Sequence, residues 1–177
     1  MAEVGDSDYL ARKQVASLGI RFYNDSIAVP LRDVDGKLWS LQFIQPNGEK
    51  RFLTGGKKRG CFHIIGQLGD AVIVAEGYAT AASIYMATAA TCIVAFDAGN
   101  LEPVAQALRA KYPFMRITIA GDNDCWKRDG GNVGKDKAEA VAAKYDCNVM
   151  LPEFSDKANV SQPTDFNDLH VLDGLEA

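Results

Sequence analysis

Three acidic residues stand where apolar, β-prone runs end. Glu76 follows AVIVA in AVIVAEGYATAAS, and Asp122 and Asp124 follow ITIAG in ITIAGDND. In an open α/β sheet, ligands bind outside the carboxyl ends of the strands. If these two runs are neighbouring parallel strands, three carboxylates converge at one sheet edge. Convergent carboxylates repel one another and lose hydration, and a bound divalent cation is the usual reason for such a cluster. Alternate residues of an extended segment point the same way, so Asp122 and Asp124 can share one cation. The chemistry implied is Mg²⁺-dependent work on phosphates.

Other residues can contribute, each with a plainer alternative. Gly77, after Glu76, lets backbone approach a ligand and opens a helix with free N–H groups, although an acid there also simply favours the helix dipole. Asp165 and Asp168, in Asp165-Phe166-Asn167-Asp168, are candidates for further metal ligands, or for a capping run before LHVL. The stretch Gly55-Gly56-Lys57-Lys58-Arg59-Gly60 is not a Walker loop. Arg51 stands where the first glycine is needed, and Lys58 where Ser or Thr belongs. It reads as a flexible basic loop whose Lys57, Lys58 and Arg59 touch nucleotide or nucleic-acid phosphate, against a solvated charged turn. Lys135, after Gly130, Gly131 and Gly134, is a further candidate for a phosphate, or a solvated lysine. Asp97-Ala98-Gly99-Asn100 reads as a chain turn, with lining of the site as its alternative. His63 and His170 belong to no motif. No Gly-x-Ser-x-Gly elbow and no strand-borne Gly-x-Gly-x-x-Gly fingerprint occurs.

The elements that must position these groups change character along the chain. Residues 6–18 read as a helix, capped by Asp6 or Ser7 and ended by Gly19. Residues 26–34 and 38–45 form a hairpin about Asp35-Gly36, and Pro46-Asn47-Gly48 turns into a strand over 50–53. Residues 61–65 read as a further strand. From 71 on, strands (71–75, 91–96, 116–121, 147–152) alternate with helices (78–90, 101–111, 134–145), the pattern of right-handed βαβ units. Glu102 and Pro103 are placed in the first turn of the second of these helices. The tail from 153 is polar, with a short helix near TDFNDLHVLDGL. The expected fold is α/β, a Rossmann-like parallel sheet with flanking helices, preceded by a small antiparallel β-rich α+β subdomain. Three stretches are expected: 1–69 with the basic loop, 70–152 carrying the parallel sheet, and 153–177 as an acidic extension near the site.

Composition narrows the function classes. With 177 residues and 47% hydrophobic content the chain can build a real core. No run of about 18 apolar residues offers a membrane span, and MAEVGDSDYLARKQ lacks the basic start and apolar run of a secretory signal. Cys61, Cys92, Cys125 and Cys147 lack zinc-ribbon spacing, and Cys92 and Cys147 read as buried small hydrophobes. A reducing cytoplasm is the simplest compartment. A net charge of −4 argues against non-specific DNA coating, yet EKRFLTGGKKRG is strongly basic. A basic patch beside an acidic cation site suits an anionic polymer that needs metal.

The combination of strand-Glu76-Gly77-Tyr78, a βαβ unit and strand-Gly121-Asp122-x-Asp124 resembles the Toprim domain over about residues 70–152. That family is shared by bacterial-type primases, topoisomerases, OLD-type nucleases and RecR-like repair proteins. LQFIQPNGEKRFLTGGKKRGCFHIIG resembles the segment before it in DnaG-like primases of phages and conjugative plasmids. The resemblance implies a nucleotidyltransferase that makes RNA primers from ribonucleoside triphosphates on a single-stranded DNA template. Glu76 would be a general acid/base or metal-associated residue, and Asp122 and Asp124 would hold Mg²⁺ or Mn²⁺. In many DnaG-type primases an aspartate follows Glu-Gly-Tyr two residues on, where this chain has Thr80. The chain also lacks the zinc-binding cysteines of those primases, which implies a catalytic module of a larger protein, working beside a replicative helicase. Alternatives from other classes are a Toprim-type metal-dependent nuclease and a non-catalytic nucleic-acid-binding module.

Overall fold

The computed structural model describes residues 1–126, 131–154 and 162–176. Gly130 and the part of the polar tail at 155–161 lie outside these residues.

The chain opens with α1 (Asp8–Lys13), whose N-cap Ser7 accepts a hydrogen bond from Leu10 N at 3.4 Å. The helix was expected to run to residue 18 but stops at Lys13, with Gln14 in the left-handed region (φ 54°). Tertiary bonding explains the early stop. The Tyr78 hydroxyl accepts from Leu18 N at 2.6 Å and donates to Ala16 O at 2.8 Å, so these backbone groups are bonded outside any helix.

A four-stranded antiparallel sheet follows in the order β1 (Arg21–Tyr23), β2 (Ser26–Arg32), β3 (Leu38–Ile44), β4 (Lys50–Phe52). The Asp35-Gly36 turn forms as expected, with Gly36 at φ 83°. β1 has no counterpart among the expected elements, because three residues are too short for a period-two signal. Phe22, Ile27 and Ile44 share one face of this sheet by register and are buried. Lys50 and Phe52 of β4 lie on that inward face too, paired with Ile44 and Gln42.

The second sheet has five strands in the order β5 (His63–Ile65), β7 (Cys92–Val94), β6 (Ala71–Ala75), β8 (Arg116–Ala120), β9 (Asn148–Met150). All neighbours are parallel except β5, which is antiparallel to β7. The α/β fold expected from the strand–helix alternation is the one observed. Its faces read directly from residue parity. Val72, Val74, Ile93, Ile117 and Ile119 are buried with α3 (Ala98–Lys111) and α4 (Val133–Tyr145). Ala75, Cys92, Val94 and Ala120 are buried on the other face with α2 (Tyr78–Thr88) and the inner face of the first sheet. α2 is buried continuously from Tyr78 to Ile84 because it is enclosed on several sides, and its alanines permit that approach. The final helix, α5 (Phe166–Asp173), packs on α2 and α1.

α3 begins three residues before its expected start, at Ala98, which leaves Pro103 inside the helix. Asn100 accounts for the early start. Its side chain donates to Ala95 O at 2.8 Å and Cys61 O at 2.9 Å and accepts from Gly60 N at 2.8 Å, pinning the first turn against the strand edge. Among the described residues no helix is long and apolar enough to cross a membrane. Cys61 and Cys92 are buried, Cys147 is half-buried, and Cys125 is exposed.

Candidate active site

β6 lies between β7 and β8; the chain passes from β6 through α2 to β7 on one side, then from β7 through α3 to β8 on the other. The carboxyl end of β6 is therefore the topological switch point, where helix N-termini diverge and leave a crevice. Ala75 is in register with Val94 and Ala120, so Glu76, Asp97 and Asp122 emerge side by side at this edge. They line a cleft of about 270 Å³ together with Tyr9, Lys13, Lys50, Gly77, Thr80, Phe96 and Asp165.

The electrostatics are those of crowded, half-buried acids. Burial pushes the Asp122 carboxyl up to about 7, reinforced by Glu76, Asp165, Asp124 and Asp168. Glu76 is also raised, chiefly by burial, with Asp97 and Asp124 adding and Lys137 and Lys50 opposing. All five acids singled out from the sequence are thus electrostatic neighbours at one place. Among the described residues no three His, Cys, Asp or Glu side chains are gathered tightly enough to chelate one ion. Glu76, Asp122 and Asp165 line the cleft, while Asp124 and Asp168 act on Asp122 from outside its lining.

Short polar residues hold the Asp122 loop. Asn123 donates from its backbone to Thr164 O at 2.7 Å and from its side chain to Pro152 O at 2.9 Å. Asn132 caps α4, accepts from Asp124 N at 3.0 Å, and donates to Asn123 Oδ1 at 2.8 Å. Asp124 Oδ2 faces Gly134 N at 3.4 Å. Gly134 must lack a side chain, because a Cβ there would lie 2.5 Å from Asp122 O.

Asp165 arrives from the far end of the chain. It caps α5, its Oδ1 accepting from Asp168 N at 2.8 Å, while its Oδ2 accepts from Thr80 Oγ1 at 2.9 Å. Asp165 is thus the helix cap that one of its two readings expected, and it lines the cleft as well. Thr80 holds this distant carboxylate at the edge. Asp168 accepts from Thr164 N at 3.0 Å and lies 3.4 Å from the Lys13 ammonium.

The basic candidates separate. Lys58 pairs with Asp97 and lies 5.4 Å from the Phe52 ring centroid, so the glycine-rich loop does reach the acidic edge. Lys57 sits over the Trp39 ring, Arg59 acts electrostatically on Glu102, and Lys135 lies 3.7 Å from Glu139 on its own helix. Asp97, read as part of a turn, stands at the N-cap position of α3 without a side-chain capping bond, and it lines the cleft. Its neighbour Phe96 has φ 76°, an uncommon conformation for a bulky residue and one that clusters at functional sites. Sequence reasoning did not single out Lys50, Lys13 or Tyr9. The inward parity of Lys50 on β4 was the one available signal.

The histidines are structural. His63 bonds Leu18 O at 2.9 Å, and burial lowers its pKa. His170 bonds Ser83 Oγ at 2.9 Å and is lowered by burial as well.

A switch-point crevice lined by strand-end acids defines a class of α/β domains that bind ligands at the carboxyl ends of their strands, and comparison with known proteins names the family. The Toprim domain matches residues 71–176, and the chain belongs to that family. It is 42% identical over 138 residues to a DNA primase TraC of Escherichia coli, and 40% identical over 138 residues to a second protein of that name from the same organism. Each alignment covers 74% of this chain, and the chain spans only 10% and 13% of those relatives. Among solved structures the fold is similar to the primase fragment of the bacteriophage T7 primase-helicase protein, with TM-score 0.59 and 13% identity over 94% of this chain and 65% of that one. It is also similar to a DnaG primase catalytic domain bound to single-stranded DNA, with TM-score 0.55 and 14% identity over 94% of this chain and 55% of that one.

Proposed function

We propose that this chain is the catalytic Toprim module of a DNA primase, joining ribonucleotides into RNA primers on single-stranded DNA. The observation that carries the reading is the two-sided cleft. Glu76, Asp122 and Asp165 come from the parallel-sheet side, and Lys50 comes from β4 of the antiparallel sheet that precedes it. The primase relatives support the same reading.

The donor set suits a hard divalent cation, being all carboxylate oxygen with no thiolate or imidazole among the acids that line the cleft. Mg²⁺ usually takes one or two carboxylates and completes its shell with water and substrate phosphate, so acids spread around a cleft fit it better than a tight protein cage. Asp122 and Asp124 would hold Mg²⁺ or Mn²⁺, with Asp165 and Asp168 beside them, and the ion would offset the charge of the incoming triphosphate. Lys50 and Lys13 give that triphosphate cationic partners on the cleft wall. Glu76, its proton affinity raised by burial, is suited to take the proton from the primer 3′-hydroxyl as that oxygen attacks the α-phosphorus and pyrophosphate departs. Positioning and charge stabilisation are the main tasks in such a transfer. The single-stranded template and ribonucleoside triphosphates are the partners of this activity, and a replicative helicase in the same or another chain is the further partner we propose.

The test is de novo ribonucleotide incorporation on single-stranded DNA with Mg²⁺ or Mn²⁺, wild type beside Asp122→Ala. Primers from the wild type alone are expected. Metal-dependent shortening of the DNA without any extension would replace the primase with a nuclease.

A further inference from the structure

Trp39 occupies a position that core packing does not explain. β2 and β3 shift register between Leu31 and Arg32, so that Leu31 pairs with Ser40 but Arg32 pairs with Leu38. Trp39 is the extra residue of this β-bulge, and bulges re-aim side chains. Trp39 is 37% exposed. Its indole N–H donates to Asp33 Oδ2 at 2.6 Å, and Asp33 also accepts from the backbone N–H groups of Asp35 and Lys37, both at 3.0 Å. The edge of the ring is therefore anchored while the ring stays in reach of solvent.

Two lysines attend it. Lys37 Nζ lies 3.9 Å and Lys57 Nζ 4.9 Å from the ring centroid. Neither forms an ion pair with a described carboxylate. The nearby acids are already engaged, Asp33 as above and Asp35 with Lys111. Lys57 belongs to the same glycine-rich loop that sends Lys58 to Asp97. That loop is pressed onto β3 at Ser40, where a Cβ on Gly56 would lie 2.1 Å from Ser40 Oγ. Consecutive lysines thus join an anchored aromatic ring to the acidic edge.

We propose that Trp39, with Lys37 and Lys57, is a stacking platform for a base of single-stranded DNA, leading that strand toward the cleft at Glu76. The inference rests on the primase reading for the choice of DNA. Base–aromatic stacking accepts any base, and lysines nearby grip the adjoining phosphates, the pairing used by proteins that hold single strands without sequence readout. The ammonium groups now over the ring would move onto phosphates when a base takes their place. Asp33 keeps the indole fixed during that exchange.

The test measures binding of a fluorescein-labelled oligo-dT of about 12 nucleotides by anisotropy at low salt. It compares wild type, Trp39→Ala, Trp39→Phe and the double variant Lys37→Gln/Lys57→Gln. Trp39→Ala should weaken binding about tenfold or more, and Trp39→Phe, which keeps a π-face, should recover most of the loss. The lysine variant should reduce the slope of log K against log salt by about 0.7 for each phosphate contact removed. Unchanged circular dichroism would confirm that the variants fold. Wild-type affinity in Trp39→Ala, no binding by the wild type, or tighter Trp39-dependent binding of oligo-rU than of oligo-dT would each overturn the proposal. Primer synthesis separates the two readings. Normal primers from Trp39→Ala with unchanged DNA affinity sink the platform alone. Trp39-dependent DNA binding without synthesis in any metal sinks the stand-alone primase and leaves the platform standing.

Discussion

Asp122→Asn should make the metal-free protein more stable at pH 8 and have little effect near pH 4. Burial and four neighbouring acids raise the Asp122 carboxyl from an ordinary 3.8 to about 7. The folded state therefore keeps this proton over a pH range where the unfolded chain has lost it. Bound protons favour folding, so stability from this group is fully present below about pH 4 and is lost as pH rises through about 7. A rise of about three units corresponds to roughly 4 kcal/mol. Water at the open cleft screens part of the repulsion, so about 2 kcal/mol is expected in practice. For a chain of this size that is a gain of roughly 4–8 °C in melting temperature for Asp122→Asn at pH 8 in EDTA. No described hydrogen bond to the Asp122 carboxylate is lost to offset it. Thermal unfolding followed by circular dichroism at pH 5 and pH 8, in EDTA and then in Mg²⁺, supplies the four comparisons. Mg²⁺ should stabilise the wild type more than the variant, since it offsets the same repulsion. A variant no more stable than wild type at pH 8, or equally stabilised at both pH values, would refute the account of Asp122 as a desolvated, mutually repelled acid.

Two further substitutions probe how the site is held. Tyr78→Phe removes a hydroxyl bonded to Leu18 N and Ala16 O, and leaving those groups unpaired should cost about 1–3 kcal/mol. An unchanged melting temperature would show that water replaces the hydroxyl and that the third residue of Glu-Gly-Tyr is not a structural tie. Gly134→Ala suits the α4 helix but places a Cβ 2.5 Å from Asp122 O, so the acidic loop must shift. Mn²⁺ binding, followed by electron paramagnetic resonance of the free ion, should weaken about 10- to 100-fold, as when ligand-orienting groups are lost. Wild-type Mn²⁺ affinity in Gly134→Ala would mean that the loop around Asp122 does not present a metal ligand.

Glu76, Asp122 and Asp124 were legible because two local rules compound. Apolar β-prone runs announce buried parallel strands, and such strands end at one edge whatever the details of packing. The Asp35-Gly36 hairpin was legible for the same reason, since its turn chemistry acts over a few residues. The misplaced ends of α1 and α3 had no local signal. They are set by Tyr78 bonding a segment some sixty residues earlier and by Asn100 bonding Cys61 O. Lys50 looked like one charge in a basic stretch until strand register turned it inward beside Gly77.

What the amino-acid order determined by itself is therefore the α/β class, the strand-end acids and the presence of a basic loop. Each of these follows from periodicity, propensity or charge over short spans. Only the tertiary structure decided which charges share a cleft. It brought Asp165 to Thr80 across 85 positions and Lys13 to Asp168 across 155, and it sent Lys58 to the acidic edge while Lys57 went to Trp39. The physical reason is that side-chain pairing between distant elements depends on sheet register and helix docking, which emerge when the two sheets bury a common core around α2.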